Sequence, residues 1–160
     1  MTAPDAARLR VSGMTKRFGD LVANDGIYTG TIPGGIATPG QMVRWYVTAK
    51  DNAGISSRAP KYQDTLNSPQ YIGTVIRDVA LVSDLPVLHT FLANTAGADT
   101  INGTRMSLYY NGQFYDNVFV NLHGQSTQAF PKKSYNINFN TGYPFQYAPD
   151  EPPVKAFNLL

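Results

Sequence analysis

The sequence predicts a mainly β protein, β-rich within the α+β class, and three observations carry that reading. Strong helix formers are scarce, Glu151 being the only glutamate, while Tyr, Phe, Val, Ile and Thr, which suit a pleated half-buried surface, are plentiful. Apolar residues alternate with polar ones at the strand period. Gly, Pro and Asn punctuate the chain at short intervals, as turns between strands require.

Composition narrows the function classes. At 160 residues the chain is one average domain or parts of two. A formal net charge of +2 is too small to imply nucleic acid or an anionic membrane as partner. The absence of cysteine excludes a disulfide framework and a thiolate zinc site. The first residues, MTAPDAARLR, hold no signal-peptide core, and no later run is apolar for long enough to span a bilayer. Read literally that is a cytoplasmic chain; a piece of a longer exported chain would read the same. The missing first strand, and the apolar ending VKAFNLL with nothing to close it, favour the piece.

Taken in order, residues 27–32 (IYTGTI) read as a strand entered from a turn at Asn24-Asp25-Gly26, and 33–40 as a loop. Residues 42–49 alternate, with Val43, Trp45, Val47 and Ala49 on one face and Met42, Arg44, Tyr46 and Thr48 on the other. This predicts a strand with Trp45 in the core, in a hairpin whose partner contains Tyr28. KDNAG follows as a turn in which Gly54 can take positive φ. Residues 57–70 (SRAPKYQDTLNSPQ) read as linker, YIGTVI as a short strand, 85–94 as a strand covered on both faces, and TAGADTINGT as a loop. The sharpest local signal is MSLYY-NG-QFYDNVFVNL, a hairpin whose Asn111-Gly112 supplies both positive-φ positions of a type I′ turn. Strict alternation places Phe114, Asp116, Val118, Val120 and Leu122 on one face of its second strand.

The chemistry concentrates in HGQSTQAFPKKSYNINF, residues 123–139. A polar glycine-containing loop leads into a strand on which Lys133, Tyr135, Ile137 and Phe139 share one face. Lys132, Ser134, Asn136 and Asn138 share the other. An ammonium on an apolar face is costly without an anionic partner, so Lys133 is the candidate for holding phosphate. The plain competing reading is a lysine pair that guards an edge strand against aggregation. His89 and His123 have no third ligand spaced to join them as a metal site, and Asn24-Asp25-Gly26 lacks the spacing of a calcium loop. Tyr109, Tyr110, Phe114 and Tyr115 read as cross-strand packing rather than a sugar-stacking platform.

Two resemblances attach to these residues. NDGIYTGTIP and VRWYVTAKDNAG resemble the C-terminal half of bacterial Ig-like, fibronectin-type modules that sit beside catalytic domains in secreted proteins. LPVLHTFLAN, SLYYNGQFYDNVFVNLHGQSTQAFPKKSYNINF and VKAFNLL resemble the opening third of the spore coat protein H (CotH) kinase family, which often has Arg where His123 stands here. That resemblance implies an atypical protein-kinase-like fold that uses ATP and magnesium to phosphorylate Ser or Thr of protein partners. Lys133 would hold the nucleotide, with Gln125, Ser126 and Thr127 in the loop over its phosphates. The family's catalytic and metal-binding aspartates would lie beyond Leu160, leaving this stretch without turnover. The implied layout is a partial Ig-like module over residues 1–58, a linker with a short strand over 59–84, and a truncated kinase N-terminal lobe over 85–160, in an extracytoplasmic or secreted parent. The alternative is a non-catalytic extracellular β-sandwich that grips polysaccharide or a coat or cell-surface protein.

Overall fold

A computed structural model describes residues 8–18, 21–124 and 130–160, with side chains from residue 30 onward. The protein is mainly β, and its strands pair antiparallel throughout the described residues. It divides into two compact units, Met1–Thr38 and Pro39–Leu160.

In the first unit β1 (Arg8–Phe18) pairs with β2 (Leu21–Thr31), from Arg8 opposite Thr31 to Phe18 opposite Leu21. Two expectations are corrected here. A full first strand exists, and Asn24, Asp25 and Gly26 lie inside β2 opposite Lys16, Thr15 and Met14. Ladder bonds are made by backbone N–H and C=O groups, so turn-prone side chains do not prevent pairing once a partner strand lies alongside.

The second unit opens with β3 (Met42–Trp45) and β4 (Val47–Lys50), which keep the predicted alternation: Val43, Trp45, Val47 and Ala49 are half-buried, while Arg44, Tyr46, Thr48 and Lys50 are exposed. Tyr46 separates two ladders. β4 pairs with β5 (Ser56–Ala59), and β3 pairs with β6 (Ile72–Val75). Trp45 therefore sits opposite Ile72, not in a hairpin with Tyr28, and it is half-buried rather than part of the main core. Gly54 takes φ +84°, and Ile55 N donates to Asp51 Oδ1 at 2.7 Å, closing the predicted turn.

The centre of the unit is a five-stranded sheet in the order β11-β10-β9-β8-β7. Its strands are β7 (Leu88–Leu92), β8 (Thr104–Tyr110), β9 (Gln113–Leu122), β10 (Tyr135–Asn138) and β11 (Ala156–Leu159). Residues 85–94, expected to be a strand covered on both faces, give only β7, an edge strand that is half-buried except at exposed Thr90. Leu85, Pro86, Ala93 and Asn94 are exposed. The expected loop after it contains one helical turn, α1 (Thr95–Ala98), because Asn94 Oδ1 accepts from Gly97 N at 2.9 Å and caps it. VKAFNLL, expected to lack a partner, contributes β11 alongside β10.

Strict alternation fails inside β9. Leu108 pairs with Tyr115, yet Met106 pairs with Val118, so β9 carries an extra residue at a bulge where Asn117 has φ +55°. The bulge moves Tyr115 onto the face of Val118, Val120 and Leu122, and Phe114 and Asp116 onto the other. Leu108, Val118, Leu122 and Ile137 are almost wholly buried on the core face, each worth about 2 kcal/mol. Tyr115, Phe139, Phe145 and Phe157 complete it with ring centroids 4.9–5.7 Å apart.

The β8–β9 turn has Asn111 at φ +45° and Gly112 at φ +83°, as a type I′ hairpin needs. Gly112→Val should destabilise the protein by about 1–3 kcal/mol, since a β-branched residue is strained there. Urea denaturation with an unchanged slope and a lowered midpoint is the expected result.

Candidate functional site

β9 and β10 are neighbours joined by a long loop. Its base is closed by His123 N donating to Ser134 O at 2.8 Å and by His123 Nδ1 lying 2.7 Å from Asn136 Oδ1. Gly124 opens the loop at φ +79°. Gln125, Ser126 and Thr127 lie outside the described residues. Lys132 is exposed and Lys133 half-buried, and both precede β10, which begins at Tyr135. Within and just after β10 the sides separate: Ile137 and Phe139 are buried, Asn138 is exposed.

On the Ile137 side a cavity of about 240 Å³ has an apolar floor of Leu92, Met106, Val120 and Ile137, with Tyr135 and Asp99 also in its lining. The Tyr135 hydroxyl donates to Asp99 Oδ1 at 2.7 Å. That bond, with some burial, holds the Tyr135 phenol above its ordinary range. Lys133 precedes β10 by two positions and is not part of the lining of this cavity.

The opposite face carries groups that strict alternation misassigned. A cavity of about 500 Å³ is lined by Arg44, Arg105, Ser107, Asp116 and Asn117, with Met42 and Phe91. Arg105 donates to Asn117 O at 3.0 Å and stands 5.2 Å from the Phe119 ring centre. Burial lowers its pKa, against the pull of Asp64. Buried Asp116 accepts from Ser107 Oγ at 2.7 Å and from the backbone N–H groups of Gln70 at 2.8 Å and Tyr71 at 2.9 Å. Asn117 Nδ2 donates to Thr65 O and Ser68 O. Much of the segment read as linker is thus fastened to the sheet. The sequence did hold a signal for Asp116, a carboxylate set among apolar strand residues, which must find donors if it is buried.

Arg58 spans the remaining surface. It donates to Gln70 O at 2.6 Å, with its guanidinium 4.2 Å over Tyr46 and 5.6 Å from both Tyr62 and Tyr71. Arg44 lies 4.5 Å over the Tyr71 ring of the same group. His89 stacks edge-on against Tyr109 with centroids 6.0 Å apart. Among the described residues no group of three or more His, Asp or Glu could hold a metal, and no helix is long and apolar enough to cross a membrane.

No protein-family model, curated protein or solved structure matches this chain.

Asp116→Ala should cost about 3 kcal/mol or more, because it strips an acceptor from three buried or half-buried donors. Hydrogen exchange at the Gln70 and Tyr71 amides should accelerate selectively in the folded state. A second expectation concerns alkali. Tyr135 is raised chiefly by its bond to Asp99, and Tyr115 chiefly by burial. The folded chain therefore holds these protons more tightly than the unfolded chain. The associated stability is complete below about pH 10 and is lost as pH rises through the folded values. Urea midpoints measured from about pH 9 to about pH 11 should fall, and the fall should be shallower in Tyr135→Phe.

Proposed function

We propose that the region from Leu85 to Leu160 is the nucleotide-holding lobe of a CotH-like atypical kinase that phosphorylates Ser or Thr of protein partners, in an extracytoplasmic parent. The observation that supports this best is the β9–β10 pair: two hydrogen-bonded strands bridged by a loop that Gly124 opens, with half-buried Lys133 at its exit. A covering loop and a lysine beside it are the parts a kinase-like lobe uses to hold phosphates.

The residues fit the phosphate end of ATP. A half-buried ammonium beside a glycine-opened loop suits an anion. Lys133 would neutralise phosphate charge, and Gln125, Ser126 and Thr127 would cover it. Magnesium, when bound, would neutralise part of the phosphate charge. The work of this chain's own groups is to bind and orient. His123 and Ser134 hold the ends of the loop together, and the β9–β10 ladder fixes where Lys133 emerges.

A second reading, a non-catalytic module gripping polysaccharide or a coat protein, is favoured by the exposed Tyr46 ring and the Arg58 guanidinium above it. Titration with ATP and magnesium separates the readings. Under the kinase reading Lys133→Ala should weaken nucleotide binding about tenfold or more, the worth of a charge-assisted hydrogen bond, while Lys132→Ala should change it little. Equal losses from the two variants, or no nucleotide binding by the unaltered chain, would count against the proposal.

A further inference from the structure

The cavity of about 500 Å³ takes its walls from β3 on one side and from the polar face of β7, β8 and β9 on the other. Each wall contributes a cation. Arg44 is the ladder partner of Gly73, and a Cβ on Gly73 would come within 2.6 Å of the Phe114 ring on β9. Residues directly opposite in an antiparallel pair project to the same side, so Arg44 leaves β3 toward the five-stranded sheet. Met42, two positions earlier, shares that side. On the sheet, Arg105 shares the side of Ser107, whose hydroxyl meets Asp116, and of Phe91, the ladder partner of Ser107.

Neither cation meets an anion in direct contact. Among the described residues Arg44 has only the Tyr71 ring, 4.5 Å away. Arg105 gives one N–H to Asn117 O at 3.0 Å and stands by the Phe119 ring, with other donors of its fork left over. Arg44 is exposed and Arg105 half-buried, so both keep surface that a solute can reach. Burial lowers the Arg105 pKa in spite of Asp64, an exposed carboxylate whose Oδ1 already takes Leu66 N at 2.9 Å. A partly desolvated guanidinium is stabilised by an anion brought to it.

The rest of the lining narrows the choice of anion. Asp116 is its one carboxylate, 4 % exposed, with its oxygens engaged by Ser107, Gln70 and Tyr71. Two guanidiniums and one carboxylate leave a single net positive charge, which suits a monoanion better than a phosphate dianion. Met42 and Phe91 supply apolar surface beside the charges. We infer that this cavity binds a small organic monocarboxylate, its carboxylate held by the forks of Arg44 and Arg105 and its apolar body against Met42 and Phe91. The site uses neither Lys133 nor loop 123–134, so it stands or falls apart from the kinase reading.

The test is calorimetry on the whole 160-residue chain with benzoate, its neutral isostere benzamide, and inorganic phosphate, at matched ionic strength. Benzoate should bind with a Kd of about 1 mM or tighter, and the other two about tenfold or more weakly. Arg44→Gln should weaken benzoate about fivefold or more and leave the fold intact, because Arg44 is exposed. Arg105→Lys keeps the charge and loses the fork, and should weaken benzoate about threefold or more. Equal affinities for benzoate and benzamide would overturn the role of charge, and phosphate binding as tightly as benzoate would overturn the carboxylate class. A folded Arg105→Lys chain with full affinity would overturn the fork. Unchanged benzoate binding in Arg44→Gln, or no saturable binding below about 10 mM, would overturn the site.

Discussion

The arrangement of the second unit depends on one buried carboxylate. Asp116 takes a hydroxyl from its own sheet and two backbone N–H groups from the segment that leads into β6. It therefore joins the five-stranded sheet to the smaller ladders over chain separations of 45 and 46 residues. A carboxylate in an apolar setting is tolerable only when donors replace its water, and here they do. Asn117, beside it, repeats the tie through Thr65 and Ser68, and Asn67 and Thr141 add another through paired side-chain and backbone bonds.

The bulge at Asn117 makes this possible. Without the extra residue, Asp116 would point into the aromatic core and Tyr115 away from it. With it, Tyr115 joins Phe139 and Phe145, while Asp116 reaches the segment near Gln70. The same local change places Phe114 against Gly73, which fixes how β6 lies on the sheet. A strained, positive-φ asparagine is thus the hinge between a dry face and a polar one, and its side chain stabilises the conformation by bonding to Thr65 and Ser68.

Each face then carries its own chemistry. On the core side the β9–β10 pair lines a small apolar cavity, and half-buried Lys133 lies just before β10, where the loop ends. The other face holds two guanidiniums in the cavity that Asp116 also lines, Arg44 over the Tyr71 ring and Arg105 by the Phe119 ring and the Asn117 carbonyl. Arg58 extends that surface by clamping Gln70 O and covering Tyr46, so cations as well as the carboxylate secure the segment between β5 and β6.

What the sequence determined by itself was local. Asn111-Gly112 and Gly54 set their turns because positive φ is a property of a residue and its neighbours, and the β3–β4 alternation follows from the two-residue period of a strand. The order of loop, lysines and strand at 123–139 was legible for the same reason. Tertiary structure decided which strands meet. Trp45 pairs with Ile72, Asn24 to Gly26 lie inside a ladder, and residues 64–71 are anchored, because backbone pairing and buried donors are settled by what arrives from far along the chain. The bulge was hidden for a related reason. Nothing in QFYDNVFVNL marks where the count slips; the gain comes from Asp116 finding its donors and Tyr115 its aromatic neighbours, and those partners exist only in the folded protein.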